Sequence, residues 1–316
     1  MNSDYDIIIV GGGPAGLAAA IYSSRRSLKT LVVAKSIGGQ AAYAPEIENY
    51  PGIEKISGGE ISAKFYAQAT KFGTQFKSEE IISLSKSKDK VFHLKTNRNE
   101  YRSKAVILAF GKTPRDLDVP GEQELKGHGV SYCATCDALF FKDKTVAVVG
   151  GGNSAIESAI LLAKTSKSVY LIHRRSEFTA EKVLLDEINT NKKITLITDS
   201  VVSKINGNQV VTSIDIKNIR DGKVQNLVLN GIFIEVGFVV NAEFVKKLVK
   251  LDSKSQIEID PLNKTKTEGL YAAGDVTDVR YKQIIIAAGE GAKAALSAYD
   301  YLMTSSGKTG VYSAKY

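Results

Sequence analysis

The only two cysteines of the 316-residue chain, Cys133 and Cys136, stand in a Cys-x-x-Cys motif that is followed at once by Asp137. Such a pair at the start of a helix can close a disulfide and reopen it, because the helix N-terminus stabilises a thiolate near neutral pH. An acid beside the second sulfur is in place to move the proton that thiol exchange requires. The motif therefore predicts a redox-active dithiol with Asp137 as its acid.

A zinc site and a pair of idle thiols are the alternative interpretations of these cysteines. Zinc takes four ligands, and the sequence has no second cysteine pair. The three histidines, His93, His128 and His173, are scattered along the chain. We therefore expect no metal, and we expect the rest of the chain to bring electrons to the cysteine pair or to take them away.

Composition describes an ordinary folded protein of about two domains, with 43% hydrophobic and 24% charged residues. No apolar run approaches the roughly 18 residues of a membrane span, and from the polar N-terminus we expect no secretory signal. A single Cys-x-x-Cys in a chain of this size is typical of the cytoplasm. The net charge of +8 is spread along the chain without an arginine-rich arm, so no nucleic-acid partner is expected.

A glycine-rich turn near the N-terminus indicates a dinucleotide site. An apolar strand predicted over 5–10 leads into Gly11, Gly13 and Gly16, spaced as G-x-G-x-x-G, and then into an alanine-rich helix. The first glycine permits a tight turn, the second lets a pyrophosphate approach the backbone, and the third lets helix and strand pack closely. The next strand ends at Lys35 without the usual acid for a ribose hydroxyl, which weakens the prediction of adenosine recognition but not that of the fold.

The same kind of unit recurs in the middle of the chain. A strand over 144–149 leads into a second fingerprint, G-x-G-x-x-A, formed by Gly150, Gly152 and Ala155. The following strand ends at Arg174 and Arg175, where the nucleotide ribose lies in such folds. Two guanidinium groups there suit a 2′-phosphate, which they bind in bidentate fashion, and the alternative is a solvated basic strand end.

Other predicted elements complete the chain. They are a glycine-rich loop over 36–40, a helix over 59–72, hairpin strands over 81–96, a buried strand over 105–109, short strands over 194–236 and a helix over 283–302. Gly274 and Asp275 place an exposed acid just past a buried strand. Small residues near the start of the last helix leave room for a flat ligand.

Taken in order, the motifs G-G-G-P-A-G, C-A-T-C-D, G-G-G-N-S-A, H-R-R and Y-A-A-G-D-V resemble those of the low-molecular-weight thioredoxin reductases over nearly the whole chain. The resemblance implies an α/β fold of two Rossmann-like three-layer dinucleotide-binding domains, the second inserted in the first. It implies FAD binding by 1–116 with 246–316, and NADPH binding by 117–245, which also carries the cysteine pair. It further implies a homodimer, a thioredoxin-like protein as partner, and rotation of the middle domain about its two linkers.

The resemblance also assigns roles to residues. The residues implied to bind FAD are Gly11, Gly13, Gly16, Gln40, Asn49, Gly274, Asp275 and Gln283, and those implied to bind NADPH are Gly150, Gly152, Ala155, Arg174 and Arg175. Within the redox pair, Cys136 is implied to face the flavin and Cys133 to attack the partner disulfide. Asp137 is implied to act as the acid.

Three positions depart from the family pattern. Phe110 stands where a threonine is common, and Lys282 stands where an arginine is common. Thr179 replaces the third arginine of the nucleotide motif, and a threonine cannot make a charge-assisted contact with phosphate. NADPH is the expected donor, but NADH, reduced ferredoxin and a deazaflavin stay open as alternatives.

Three other functions fit parts of the sequence. A ferredoxin–NADP reductase of the same fold lacks the cysteine pair, and a flavin-dependent dithiol oxidase needs no second fingerprint. A non-catalytic nucleotide sensor leaves the paired thiols without a use. The sequence therefore favours reduction of a protein disulfide by a nicotinamide nucleotide through a flavin.

Overall fold

The computed structural model describes residues 4–44, 46–305 and 307. The chain divides into two compact units, of which the first comprises Met1–Lys112 and Val240–Tyr316 and the second is Thr113–Val239. The sequence placed these divisions at 116/117 and 245/246, a few residues further along.

The first unit is built on a seven-stranded sheet. Its strands are β1 (Tyr5–Gly12), β2 (Thr30–Ile37), β3 (Gln75–Ser78), β4 (Ile81–Lys86), β5 (Phe92–Thr96), β6 (Glu100–Leu108) and a later strand, β17 (Leu270–Ala272). The order is β3-β2-β1-β6-β5-β4, and β17 pairs with the second half of β6. The pairs among β3, β2, β1, β6 and β17 are parallel, whereas β4, β5 and β6 form an antiparallel meander.

The alternation of side chains along β1 explains why both faces of this sheet are covered. Ile7 and Ile9 belong to one buried apolar cluster, and Ile8 and Val10 belong to another. A parallel strand buried on both faces has this continuous β-branched composition. The first cluster includes residues of helices α1 (Pro14–Arg25) and α6 (Ile284–Ser305).

Helix α2 (Gly58–Lys71) begins with a capping box, in which Ser57 Oγ accepts the Glu60 N–H and the Glu60 carboxylate accepts the Ser57 N–H. The predicted loop over 36–40 is wrong in part. Strand β2 continues to Ile37, which pairs with Gly12, and a 3₁₀ helix covers Gly39–Tyr43. Pairing with the end of β1 extends this strand beyond its apolar stretch.

The second unit contains a five-stranded parallel sheet in the order β11-β10-β9-β15-β8. Its strands are β8 (Val130–Ser131), β9 (Thr145–Val149), β10 (Ser168–Ile172), β11 (Ile194–Ile197) and β15 (Gly231–Ile234). An antiparallel sheet of β12 (Ser200–Gly207), β13 (Val211–Asn218) and β14 (Val224–Val228) follows β11 along the chain. Strands β7 (Thr113–Pro114) and β16 (Phe238–Val239) pair antiparallel at the ends of the unit.

Two apolar clusters flank the parallel sheet of the second unit. Val146 and Val148 of β9 pack in the cluster that contains the buried residues of helices α4 (Asn153–Thr165) and α5 (Lys182–Thr190). Ala147 and Val149 pack in the cluster that contains the antiparallel sheet. The two-residue period of a strand thus supplies both layers of core. No helix in the described ranges is long and apolar enough to cross a membrane.

Candidate redox-active site

The cysteine pair lies on a very short helix. Helix α3 covers only Ala134–Asp137, and a 3₁₀ helix continues it over Ala138–Phe141. Cys133 is the N-cap residue, and its sulfur is joined to Cys136 in a disulfide. The Cys136 N–H points at Cys133 Sγ over 3.2 Å. Because a hydrogen bond to a charged form favours that form, this amide stabilises a Cys133 thiolate after reduction.

Buried apolar residues pack the redox helix, which is α3 with the 3₁₀ helix that continues it, against the core of the second unit. Ala134, Ala138 and Phe141 pack in the cluster of α4. The close fit continues at Gly231 on β15, where an added Cβ would lie 2.1 Å from the Phe141 ring. The intervening Leu139 and Phe140 point away, with 78% and 73% of their surface exposed. The disulfide is therefore supported by a packed platform, the buried side chains of Ala134, Ala138 and Phe141, and two apolar side chains next to it are exposed to solvent.

Asp137 is held by a serine that the sequence did not single out. Ser131 Oγ donates to Asp137 Oδ2 over 2.7 Å and accepts the Cys133 N–H over 3.1 Å. Ser131 is buried at the end of β8, and Asp137 is half-buried. One hydroxyl thus connects the backbone of the first cysteine to the acid. The only sequence signal would have been a hydroxyl residue two positions before Cys133.

The first fingerprint shows the close packing that its glycines predict. Gly11 has φ +116, and a Cβ at Gly16 would lie 2.0 Å from the Gly11 carbonyl oxygen. At Gly13 the nearest atoms to an added Cβ are 3.9 Å away. The turn therefore brings α1 against the end of β1 and leaves space beside Gly13.

The residues expected near the flavin come from four separate stretches of the first unit. Asn49 Nδ2 donates to Gln283 Oε1 over 3.2 Å, which brings together two positions 234 residues apart. Gln40 Nε2 donates to the Lys112 carbonyl over 2.6 Å. Gly274, with φ +77, packs closely on α1, and Asp275 beside it is half-buried.

Lys282, one of the departures from the family pattern, is a partly buried cation in the same unit. Its Nζ donates to the Thr277 carbonyl over 2.6 Å. Burial lowers the pKa of Lys282, and the neighbouring charge of Lys112 lowers it further. The negative charge of Asp275 acts in the opposite direction and raises the pKa of Lys282, so Asp275 and Lys282 interact electrostatically.

The second fingerprint repeats the geometry of the first. Gly150 has φ +156, and its added Cβ would lie 2.3 Å from the Glu235 carbonyl oxygen and 2.7 Å from the Ala155 Cβ. No atom lies within 4 Å of a Cβ added at Gly152. Helix α4 starts directly after it, with Gly152 as N-cap. Backbone amides at such a helix start are suited to a pyrophosphate.

Arg174 and Arg175 are exposed beyond the end of β10, while Thr179 turns back to the fingerprint. The Thr179 N–H and hydroxyl both donate to the Gly151 carbonyl, over 2.7 and 3.1 Å. His173, which the sequence analysis treated only as part of the basic strand end, lies 2.2 Å from the position of a Cβ on Gly151. Burial lowers the pKa of His173, and the charge of Arg175 lowers it further.

No three His, Cys, Asp or Glu side chains of the described residues group closely enough to hold a metal ion. The fold and the Cys133–Cys136 disulfide instead define an oxidoreductase with two dinucleotide-binding folds and a redox-active disulfide. The chain belongs to the pyridine nucleotide-disulphide oxidoreductases, whose family model matches residues 5–291.

Similar proteins make the relationship more specific. The chain is 38% identical over 310 residues to the thioredoxin reductase of Peptoclostridium acidaminophilum, covering 96% of this chain and 98% of that one. The crystal structure of Lactococcus lactis thioredoxin reductase matches with a TM-score of 0.86 and 37% identity, covering 95% of this chain and 100% of that one. A ferredoxin-flavin thioredoxin reductase from Clostridium acetobutylicum matches with a TM-score of 0.54 and 32% identity, covering 96% and 98% of the two chains.

These matches confirm the family resemblance and the fold class expected from the sequence. Membership of the family implies flavin and nicotinamide cofactors. An added Cβ at Gly13 or Gly152 meets no atom closer than 3.9 Å, so these turns leave room for the approach of a cofactor phosphate to the backbone.

Two glycine variants separate packing from cofactor binding in the first unit. Gly16→Ala should destabilise the flavin-free protein by about 1–3 kcal/mol, because its Cβ meets backbone. Gly13→Ala should cost less stability, about 1 kcal/mol or less, because alanine is a poorer N-cap than glycine, but it should weaken flavin retention, because its Cβ enters the open space. Urea unfolding of the flavin-free chain and the flavin content of the purified protein measure the two effects. Equal destabilisation by both variants would contradict this division.

Ser131→Ala should slow exchange between the Cys133–Cys136 pair and an added disulfide, because the Asp137 carboxyl loses its hydrogen-bond donor. General acid–base catalysis contributes roughly 10²–10⁴-fold, so Asp137→Asn should lose on that order and Ser131→Ala a smaller part of it. Ser131→Thr, which keeps the hydroxyl, should retain most of the rate, and Ser168→Ala in the same unit serves as control. Stopped-flow thiol exchange measures all four, and an unchanged rate in Ser131→Ala would remove the role assigned to this serine.

Proposed function

We propose that the chain is a thioredoxin reductase that passes two electrons from NADPH through FAD and the Cys133–Cys136 disulfide to a thioredoxin-like protein. The observation that carries the proposal is the closed disulfide on a packed platform, within a unit that also has the geometry of a nucleotide-binding turn. The net reaction converts NADPH, a proton and a protein disulfide into NADP⁺ and a protein dithiol.

The proposal assigns FAD to a domain of residues 1–116 plus 246–316 and NADPH to a domain of residues 117–245, whose boundaries lie a few residues beyond those of the two compact units. The open turn at Gly13 and the hydrogen-bonded pair of Asn49 and Gln283 support the flavin assignment. When bound, the flavin would accept a hydride from the nicotinamide and supply two electrons to the disulfide. The protein's own residues bind and orient these groups and handle the protons.

Thiol exchange with the partner follows from the positions of the two cysteines. After reduction, the Cys133 sulfur, stabilised by the Cys136 N–H, attacks one sulfur of the partner disulfide and breaks that bond. Asp137, positioned by Ser131, supplies the proton for the departing partner sulfur. Cys136 then attacks the mixed disulfide, which releases the partner as a dithiol and restores the Cys133–Cys136 bond.

The exposed residues after the disulfide support a protein substrate over a small thiol compound. Leu139 and Phe140 are more than seven-tenths exposed and stand directly after the redox helix. Exposed large apolar side chains of this kind mark interaction sites on protein surfaces. Docking there would bring a partner disulfide to the cysteine pair.

The proposal extends to a homodimer in the cytoplasm, which is what the family resemblance implies. Size-exclusion chromatography with light scattering tests the dimer. Fractionation of the source cells tests the location.

Single cysteine variants test the core of the proposed function. Cys133→Ser and Cys136→Ser should both abolish thioredoxin reduction and leave reduction of the flavin by NADPH intact, because each removes one half of the exchange chemistry. Cys136→Ser should also form a stable mixed disulfide, visible on a non-reducing gel, with a thioredoxin that lacks its second cysteine and whose remaining cysteine is activated as a disulfide with an aromatic thiol, because Cys133 displaces that aromatic thiol. Trapping by Cys133→Ser instead would reverse the two roles, and wild-type turnover in either variant would end the proposal.

Thr179 provides a test of the electron donor. Arg174 and Arg175 favour NADPH, because each charge-assisted contact is worth roughly 1.5–3 kcal/mol. One such contact corresponds to a factor of about 10 to 150, so Thr179→Arg should lower the KM for NADPH and barely change that for NADH. Thr179→Val, which removes only the hydroxyl that binds Gly151, is the matched control. Equal effects of Thr179→Arg on both nucleotides would show that this position does not meet the 2′-phosphate.

A second candidate function differs only in the donor. In this candidate reduced ferredoxin is the electron donor. Two observations favour it: Thr179 stands where the family motif has a third arginine, and the chain matches a ferredoxin-flavin thioredoxin reductase. A wild-type flavin that neither nucleotide reduces at millimolar concentration would select this candidate.

A further inference from the structure

Glu235 occupies a position at the second fingerprint that the reaction described above leaves without a role. It follows β15 directly, and its N–H donates to the Val149 carbonyl at the end of β9 over 2.8 Å. Its own carbonyl oxygen is the atom that an added Cβ at Gly150 would meet at 2.3 Å. Glu235 therefore lies at the carboxyl edge of the parallel sheet, beside the first glycine of the turn. In open α/β sheets this edge is where ligands bind.

The Glu235 side chain is half-buried, and its described hydrogen bond comes from Ser158 of α4, whose Oγ donates to Oε1 over 3.0 Å. None of the ion pairs among the described residues involves Glu235. Burial raises the pKa of Glu235 to about 7, the Ser158 hydroxyl opposes this change, and the charge of Glu157 adds to it. Placing a carboxyl in a partly buried position without a cation costs folding free energy. A contact with a ligand would give a physical reason for a glutamate at this position.

We propose that Glu235, positioned by Ser158, is a recognition residue of the nicotinamide-nucleotide site, where its carboxyl binds a ligand hydrogen-bond donor such as a ribose hydroxyl or a carboxamide N–H. The inference rests on the proposed use of a nicotinamide nucleotide. A carboxyl suits this task because it accepts hydrogen bonds in both protonation states and can donate one when neutral.

The charges around Glu235 determine how binding responds to pH. Glu157 on α4 contributes a negative charge. Strand β9 contributes the uncharged Val149, and the turn after it contributes Gly150. On the side of β8, the acid Asp137 is hydrogen-bonded to Ser131. A hydrogen bond from the ligand favours the ionised carboxylate, whereas the negative charge of a nucleotide pyrophosphate at this edge favours the protonated carboxyl, and we expect the charge to dominate. Binding should then take up protons near pH 7, and affinity should fall as pH rises above 7, by at most tenfold per pH unit.

Isothermal titration calorimetry of the full-length flavin-containing protein with NADP⁺ and with NAD⁺ tests the inference. Titrations at pH 6, 7 and 8, each in two buffers of different ionisation enthalpy, yield the number of protons taken up. NAD⁺ is included because it lacks the 2′-phosphate, which itself titrates near pH 6. Wild type should take up a fraction of a proton at pH 7 with both nucleotides and should bind several-fold more weakly at pH 8 than at pH 6.

Glu235→Gln should abolish the proton uptake with NAD⁺ and make the affinity independent of pH, whereas Glu187→Gln on the exposed face of α5 should behave as wild type. Ser158→Ala removes the hydrogen bond that opposes the effect of burial, so the midpoint of proton uptake should move to higher pH. That shift provides the test even if Glu235→Gln does not fold. Unchanged proton uptake in Glu235→Gln, or an unmoved midpoint in Ser158→Ala, overturns the inference. Failure of wild type to bind either nucleotide would instead overturn the proposed donor.

Discussion

Each unit of the protein depends on a direct contact between backbone atoms where a strand turns into a helix. At Gly16 the position of a Cβ lies 2.0 Å from the Gly11 carbonyl oxygen, and at Gly150 it lies 2.3 Å from that of Glu235. No side chain fits between α1 and the turn at Gly16, or between the turn at Gly150 and the end of β15, so each helix begins close to the edge of its sheet. Its free N–H groups are thereby brought to the carboxyl ends of the parallel strands, where a phosphate can meet them.

The redox helix depends on the same framework, although it is itself only one turn long. A helix of that length has little stability of its own and requires tertiary packing. Ala134 and Phe141 supply this packing in the cluster of α4, and Gly231 makes room for the Phe141 ring.

Two carboxyls of the second unit illustrate how surroundings separate chemical roles. Asp137 and Glu235 each accept a hydrogen bond from a serine, over 2.7 and 3.0 Å. Burial dominates at Glu235 and raises its pKa to about 7, with the nearby Glu157 acting in the same direction. We propose a different task for each acid, thiol exchange for Asp137 and ligand recognition for Glu235.

The sequence by itself determined the parts that have local signals. Glycine spacing predicted both turns, continuous β-branched runs predicted β1 and β9, and the cysteine spacing predicted the disulfide, because each signal reflects a conformation within a few residues. Tertiary structure alone decided which distant groups meet. It paired Asn49 with Gln283, placed Ser131 under Asp137, turned Thr179 onto Gly151 and set Glu235 beside Gly150. Hydrogen-bond partners far apart in the chain, and the burial that moves a pKa, leave no periodic pattern in the sequence, because they arise only when separate elements pack together.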